Sequence, residues 1–335
     1  MQPVAASPRR ETFLQYRVER RSQRDRRLRR NPNVTDLSTL MSSDAHIDSR
    51  SSTHTASGIE PVDRIFREEA VVRITDVSMR YSGSEWALSN VDLDIAEGEF
   101  VSIVGPSGCG KSTLLKLISG LELPSAGHVA VRGRRVDRPL SGIGFMFQRD
   151  ALLPWATVAE NIEVGLECGG YPKSQFDSRI DELLGLTGLQ RFRNAFPRQL
   201  SGGMRQRVAL ARILAYAPDI YLMDEPFGAL DAQTKVVMGQ ELMTIWSRAA
   251  HKSVVFVTHD IEEAVSLSDR VVVMGGRPGR IRTEYRIDLE RPRDAREVRR
   301  QPRFHRYVDA IWNDIMSENL GGGAEPAASA VMGTH

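Results

Sequence analysis

Nine residues constrain this chain more than any other feature: Gly105-Pro106-Ser107-Gly108-Cys109-Gly110-Lys111-Ser112-Thr113. They fit the pattern G-x-x-x-x-G-K-[ST]. Residues 100–104 before them have the length and apolar character of a fully buried strand, and residues 112–119 after them read as a helix. A strand that breaks into glycines and restarts as a helix aims successive backbone N–H groups and the positive helix end at one spot. Such a spot suits a polyphosphate. The glycines let the backbone approach closely, Lys111 sets a positive charge against the β- and γ-phosphates, and Ser112 offers a hydroxyl to Mg2+. The loop by itself does not separate a kinase from a GTPase or a transport ATPase.

A second element completes the phosphate chemistry. Ile220-Tyr221-Leu222-Met223-Asp224-Glu225 is an apolar strand ending in two acids. In a parallel sheet such a strand delivers its acids to the carboxyl edge, where ligands bind. Asp224 is placed to hold Mg2+, through water. Glu225, next in line, is placed to polarise an attacking water.

The rest of the chain supports that fold. Val91, Leu93 and Ile95 alternate with polar residues, the period of a half-buried strand, and suggest an antiparallel flank. Residues 144–148, 253–258 and 270–274 read as further buried strands. Residues 204–216, 236–246 and 261–268 read as helices between them. Strands alternating with helices predict a mainly parallel sheet covered on both faces. Residues 150–217 show helical patterns and no clear strand, so they read as a helical insertion. Phe304, Val308, Ile311, Trp312 and Ile315 share one face of a last helix.

Leu200-Ser201-Gly202-Gly203-Met204-Arg205-Gln206-Arg207 decides among the nucleotide-using classes. It resembles the signature motif of the ABC ATPases. The local physics agrees, because Ser201 caps a helix that starts at the glycines and turns its N–H groups toward an anion. The resemblance covers about residues 71–320. It implies a P-loop NTPase of the ABC type: α/β, with a mainly parallel core sheet, an antiparallel β flank and a helical subdomain. It implies ATP and Mg2+ as ligands, and a homodimer in which Ser201, Gly202 and Gly203 meet the nucleotide of the opposite subunit. Tyr81 matches the aromatic that stacks on adenine. Gln148 matches the glutamine that senses Mg2+ and links the site to a membrane partner. Gly228-Ala229-Leu230-Asp231 matches the loop that couples the two sites across the dimer, and His259 matches the histidine that contacts the γ-phosphate. The expected catalytic set is Glu225, His259, Lys111 and Gln148. The expected metal set is Ser112, Gln148 and Asp224.

Composition bounds the setting. Hydrophobic residues are 41% and charged residues 26% of the 335, which fits a globular protein. Cys109 and Cys168 are far apart and in no metal-like spacing, so they read as free thiols in a reducing compartment. No apolar run approaches the ~18–20 residues of a membrane helix, and the N-terminus lacks a signal-peptide pattern. These features read as a cytoplasmic chain, and the resemblance implies a peripheral place on the cytoplasmic face of the inner membrane, with the membrane-crossing work done by separate permease subunits. Residues 1–58 are crowded with arginine and then with Ser, Thr, Asp and Asn, a composition that cannot bury enough surface to order itself. They read as a disordered tail, with a weak contact to anionic lipid or nucleic acid as the alternative use. Residues 59–70 read as a linker and 321–335 as a flexible tail.

Three further segments narrow the resemblance. Leu152-Leu153-Pro154-Trp155, Gly276-Arg277-Pro278-Gly279-Arg280-Ile281 and Asp288-Leu289-Glu290-Arg291-Pro292-Arg293 are similar to segments of importer ATPases for nitrate, taurine and aliphatic sulfonates. Each also fits a plain structural use as contact surface or turn. The implied function is ATP hydrolysis that energises import of a small anion, with a solute-binding protein acting through the permease. The alternatives are an importer ATPase for another small solute and a soluble ABC ATPase that acts on nucleic acid. The latter usually carries two cassettes or a long coiled-coil insertion, neither of which is present, so no specific nucleic acid is expected.

Overall fold

The computed structural model describes residues 59, 61, 69–83, 85–149, 151–248 and 251–321. The tail assigned to 1–58, most of the linker and residues 322–335 lie outside the described residues. The first strand starts at Ala70, one residue before the expected domain boundary.

The buried apolar runs become the core of a six-stranded sheet. Its members are β3 (Phe100–Val104), β6 (Ile143–Met146), β7 (Ile220–Asp224), β8 (Ser253–Val257), β9 (Arg270–Gly275) and β10 (Arg280–Arg286), in the order β10-β9-β3-β8-β7-β6. Five strands are parallel and only β10 is antiparallel, at the edge beside β9. Every residue of β3, β7 and β8 is buried, as expected for parallel strands covered on both faces. A second sheet carries β1 (Ala70–Arg80), β2 (Trp86–Ala96), β4 (Ala126–Val131) and β5 (Arg134–Arg135), in the order β2-β1-β4-β5, all antiparallel. This is the antiparallel flank that the alternation of Val91, Leu93 and Ile95 predicts.

Between the two sheets lies α1 (Lys111–Ser119), whose Leu114, Leu115, Leu117 and Ile118 are fully buried in one apolar cluster with residues of both sheets. The interval between β6 and β7 holds α2 (Val158–Gly169), α3 (Phe176–Thr187) and α4 (Gly202–Tyr216), and among its described residues three short 3₁₀ turns and no strand. Thr157 and Glu160 form a reciprocal cap at the start of α2. Ile162, Leu166, Leu183 and Leu184 pack this helical subdomain against Val208 and Leu210 of α4. Then come α5 (Ala232–Arg248), α6 (Ile261–Leu267), α7 (Ala295–Val298) and α8 (Pro302–Gly321). On α8, Phe304 and Ile311 are fully buried, and Val308 and Ile315 pack at the margin of their cluster. Trp312 departs from the predicted apolar face: its position on α8 leaves it 52% exposed, on the rim of a cavity of about 660 Å³ shared with α5 and α6.

Candidate functional site

Strand order explains why the predicted residues converge. β3, β8, β7 and β6 are neighbours in that order and run parallel. Their carboxyl ends therefore line up along one sheet edge. β3 leads into the phosphate loop, β8 into Thr258 and His259, β7 into Asp224 and Glu225, and β6 toward Gln148. Strand β6 stops at Met146, so Gln148 sits two residues beyond it in an exposed bend rather than ending the strand.

The loop itself has the conformation that the glycine pattern demands. Gly110 takes φ +93 as N-cap of α1, and a Cβ there would lie 2.4 Å from Leu88 Cδ2 and 3.0 Å from the Ala87 carbonyl. Any side chain would force the loop apart. The Lys111 ammonium is buried and folds back over the loop, donating to Gly105 O at 2.8 Å and Pro106 O at 2.9 Å. Ser112 Oγ donates to Asp224 Oδ1 at 3.0 Å. Burial pushes the Asp224 carboxyl above its usual range, and the Ser112 hydrogen bond pulls it partly back. A buried carboxylate beside a hydroxyl is an oxygen donor pair of the kind a hard divalent cation takes. Among the described residues no three His, Cys, Asp or Glu side chains converge as a metal group. One or two protein oxygens together with phosphates are the usual ligands of Mg2+.

Glu225 is the meeting point. Its Oε2 accepts from Gln148 Nε2 at 3.1 Å and lies 3.5 Å from His259 Nδ1. Its backbone has φ +47, a left-handed conformation that a non-glycine residue rarely takes. Tyr81 is half-buried at the end of β1, with its hydroxyl 3.4 Å from Thr113 Oγ1, which sets its ring beside the start of α1. Ser201 caps α4 as expected, its Oγ accepting from Met204 N at 3.2 Å. Asp231 accepts from Thr234 N at 3.0 Å and from Thr234 Oγ1 at 2.7 Å at the start of α5, and those bonds hold its carboxyl below the usual range. The signature glycines do not pack on the chain's own phosphate loop in the described contacts. Gly203 lies against Ala229 and Leu230.

Residues 88–228 match the family described as ABC transporter. The taurine import ATP-binding protein TauB of Roseobacter denitrificans is 44% identical over 264 residues, covering 76% of this chain and 98% of that protein. The nitrate import ATP-binding protein NrtD of a Synechocystis species is 46% identical over 248 residues, covering 72% and 93%. The chain belongs to the ATP-binding proteins of ABC transporters. Among solved structures, a dimeric ATP-binding cassette in a post-hydrolysis state with ADP and Pi superposes with a TM-score of 0.60 at 37% identity. That comparison covers 65% of this chain and 100% of the other. No described helix of this ABC protein is long and apolar enough to cross a membrane.

Several supporting groups escape a reading of the sequence. Thr258, one residue before His259, donates its hydroxyl to Glu263 and accepts from Asp260 N at 3.0 Å, while Asp260 Oδ1 caps Glu263 N at 3.1 Å. This ring fixes the backbone on both sides of His259. The Gly276–Ile281 segment braces the phosphate loop. Gly279 exchanges backbone hydrogen bonds with Ala87 and Ser89, both at 3.0 Å, and Arg277 donates to Ser107 O at 3.3 Å. The Leu152–Trp155 segment is likewise pinned, by the buried amide of Asn161. That side chain accepts from Leu153 N at 2.9 Å and donates to the carbonyls of Leu153, Ala156 and Thr157. Trp155 projects from this rigid loop 72% exposed.

Glu263 gives a pH-dependent test of the ring. Burial pushes its carboxyl up to about 7, with the Thr258 hydrogen bond opposing. A folded pKa above the unfolded one means that the folded protein binds the extra proton. That stability is fully present below the unfolded pKa of 4.5 and is lost as pH rises through about 7. Glu263→Gln keeps an oxygen to accept from Thr258 and removes the ionisation. At pH 8 it should be more stable than wild type by about 3 kcal/mol, and at pH 5 most of that gap should close. Urea midpoints at the two pH values check this, and an equal gap at both would refute the assignment.

Proposed function

We propose that this chain hydrolyses ATP as one of two identical cassettes and so drives import of a small anion of the taurine, aliphatic sulfonate or nitrate class through a separate membrane permease. The observation that carries the reading is the convergence of Lys111, Ser112, Asp224, Glu225, Gln148 and His259 at the carboxyl ends of neighbouring parallel strands. The relatives named for taurine and nitrate import support the anion class, and the dimeric cassette with ADP and Pi supports the paired arrangement.

In this mechanism the loop N–H groups from Gly105 to Thr113 and the Lys111 ammonium bind the phosphates and balance charge that develops on them. Tyr81 stacks on adenine. Glu225 takes a proton from the attacking water, and Gln148 and His259 orient its carboxylate, with His259 also facing the γ-phosphate. Ser112 and Asp224, with Gln148 at the margin, would hold Mg2+, which supplies further neutralisation of the phosphate oxygens. Ser201, Gly202 and Gly203 serve the nucleotide of the partner subunit, and Asp231 couples the two sites. The helical subdomain, with Trp155 on its rigid loop, offers the permease its contact surface. The chain then sits peripherally on the cytoplasmic face of the membrane, and a solute-binding protein delivers the anion from the other side.

Deleting the gene tests the substrate class. Growth should fail on one of taurine, an alkanesulfonate or nitrate as sole sulfur or nitrogen source, and return with the wild-type gene but not with a Lys111→Ala copy. Unaffected growth on all three would remove the assigned class.

A further inference from the structure

Gln206 lies within the signature segment, yet neither the phosphate loop nor the partner's nucleotide has a use for it in the mechanism above. It is buried, at 4% exposure. A buried primary amide has donors and an acceptor to satisfy, and both ends of this one are spent on a single turn. Nε2 donates to Glu225 O at 2.9 Å, and Oε1 accepts from Ala229 N at 2.9 Å. One face of α4 rests on that turn, because Gly203 lies three residues earlier on the helix. A Cβ on Gly203 would come within 3.1 Å of Leu230 Cδ2 and 3.2 Å of Ala229 O.

The turn needs such support. Glu225 holds φ +47, and non-glycine residues stay in that region only where their surroundings over-determine it. Its N–H donates to Val257 O at 2.9 Å, and its carbonyl accepts from both Gly228 N at 3.1 Å and Gln206. Val257 belongs to β8 and Gly228 to the turn itself, so Gln206 supplies the bond from the helical subdomain.

We propose that Gln206 is a positioning residue that joins the two half-sites of one chain, locking the left-handed backbone of Glu225 and the 228–231 loop to the helix whose N-terminus meets the partner's nucleotide. A shift of α4 when Ser201 engages that nucleotide is then passed through one amide to the carboxylate that acts on the chain's own nucleotide. The proposal rests on Glu225 as the base and Ser201 as the group acting across the dimer. It adds the physical link between them.

The test uses the full-length dimer. Q206L removes both bonds at nearly constant volume. It should lower kcat by about tenfold or more, as expected when a catalytic group is slightly misplaced, and leave KM for ATP within about threefold. The Hill coefficient for ATP should fall from about 2 toward 1 as the sites uncouple. Q206E keeps the acceptor for Ala229 N–H and loses the donor to Glu225 O while ionised. Protonation restores a donor, and burial favours the protonated form, so its kcat deficit relative to wild type should shrink between pH 8 and pH 6. Wild-type kcat and cooperativity in Q206L overturn the proposal, as does a Q206E deficit independent of pH. The Q206E profile decides if Q206L fails to fold. E225Q assayed alongside separates the two levels: normal turnover in E225Q removes the base assignment, whereas a dead E225Q with a normal Q206L removes only the link.

Discussion

Glu225→Gln is expected to cut ATP turnover by about two to three orders of magnitude while leaving ATP affinity within about threefold of wild type. The reason is what the substitution keeps. Glutamine presents a carbonyl oxygen where Oε2 now accepts from Gln148 Nε2 at 3.1 Å. The backbone bonds at this position, to Val257, Gly228 and Gln206, do not involve the side chain and should persist. The phosphate loop, Lys111 and the Ser112–Asp224 pair are untouched, so nucleotide still binds. Only the ability to take a proton from water is lost, and a positioned general base contributes about 10²–10⁴-fold. A cassette pair that closes on ATP and opens on hydrolysis should then stay closed. Steady-state ATPase rates give the first result, and size-exclusion chromatography with ATP gives the second as an accumulated dimer. Turnover within tenfold of wild type would show that another group takes the proton.

How much of this site the sequence carried follows from the range of the interactions involved. The phosphate loop, the Asp224–Glu225 strand end and the capped helix at Ser201 are local patterns, each complete within about ten residues. They were legible because glycine geometry, strand period and capping chemistry act over that range. The helical insertion was legible for the same reason. Strand order was not, since β3 and β8 pair at Phe100 and Val254 across nearly half of the chain. The partners of Gln206 lie 19 and 23 residues away on a turn that has no period of its own. Trp312 matched a helical stripe, but a stripe shows only that one face is apolar. It does not show how far the neighbouring helices extend to cover it, and here α5 and α6 leave a cavity beside it.

Arg270 shows the same limit in the core, and its replacement has the largest expected effect on stability. It opens β9 ahead of an apolar run, and it is 1% exposed. The guanidinium forks onto Glu99, with Nε on Oε1 at 2.9 Å and Nη2 on Oε2 at 3.1 Å. It also donates to Glu284 of β10 and to the carbonyl of Asp94 in β2. One side chain thus ties the edge of the central sheet to the antiparallel flank, with Glu99 completing the corner by accepting from Ala96 N at 2.9 Å. Arg270→Met fills the space but takes away the guanidinium that Glu99 and Glu284, both buried, share. Removing one partner of a buried ion cluster costs about 3–5 kcal/mol. The loss seen in a urea titration at pH 7 should fall in that range. Arg270→Lys should recover part of it, because a point charge cannot make the fork. Adding Glu99→Gln and Glu284→Gln to Arg270→Met should recover more, because the stranded charges are then gone and only the hydrogen bonds are missing. If Arg270→Met alone cost under 1 kcal/mol, the two carboxylates would have to be satisfied by other groups, and the corner would not depend on this residue. If the triple variant were no more stable than Arg270→Met, the stranded charges would not be the source of the loss, and the packing of the arginine stem would have to supply it.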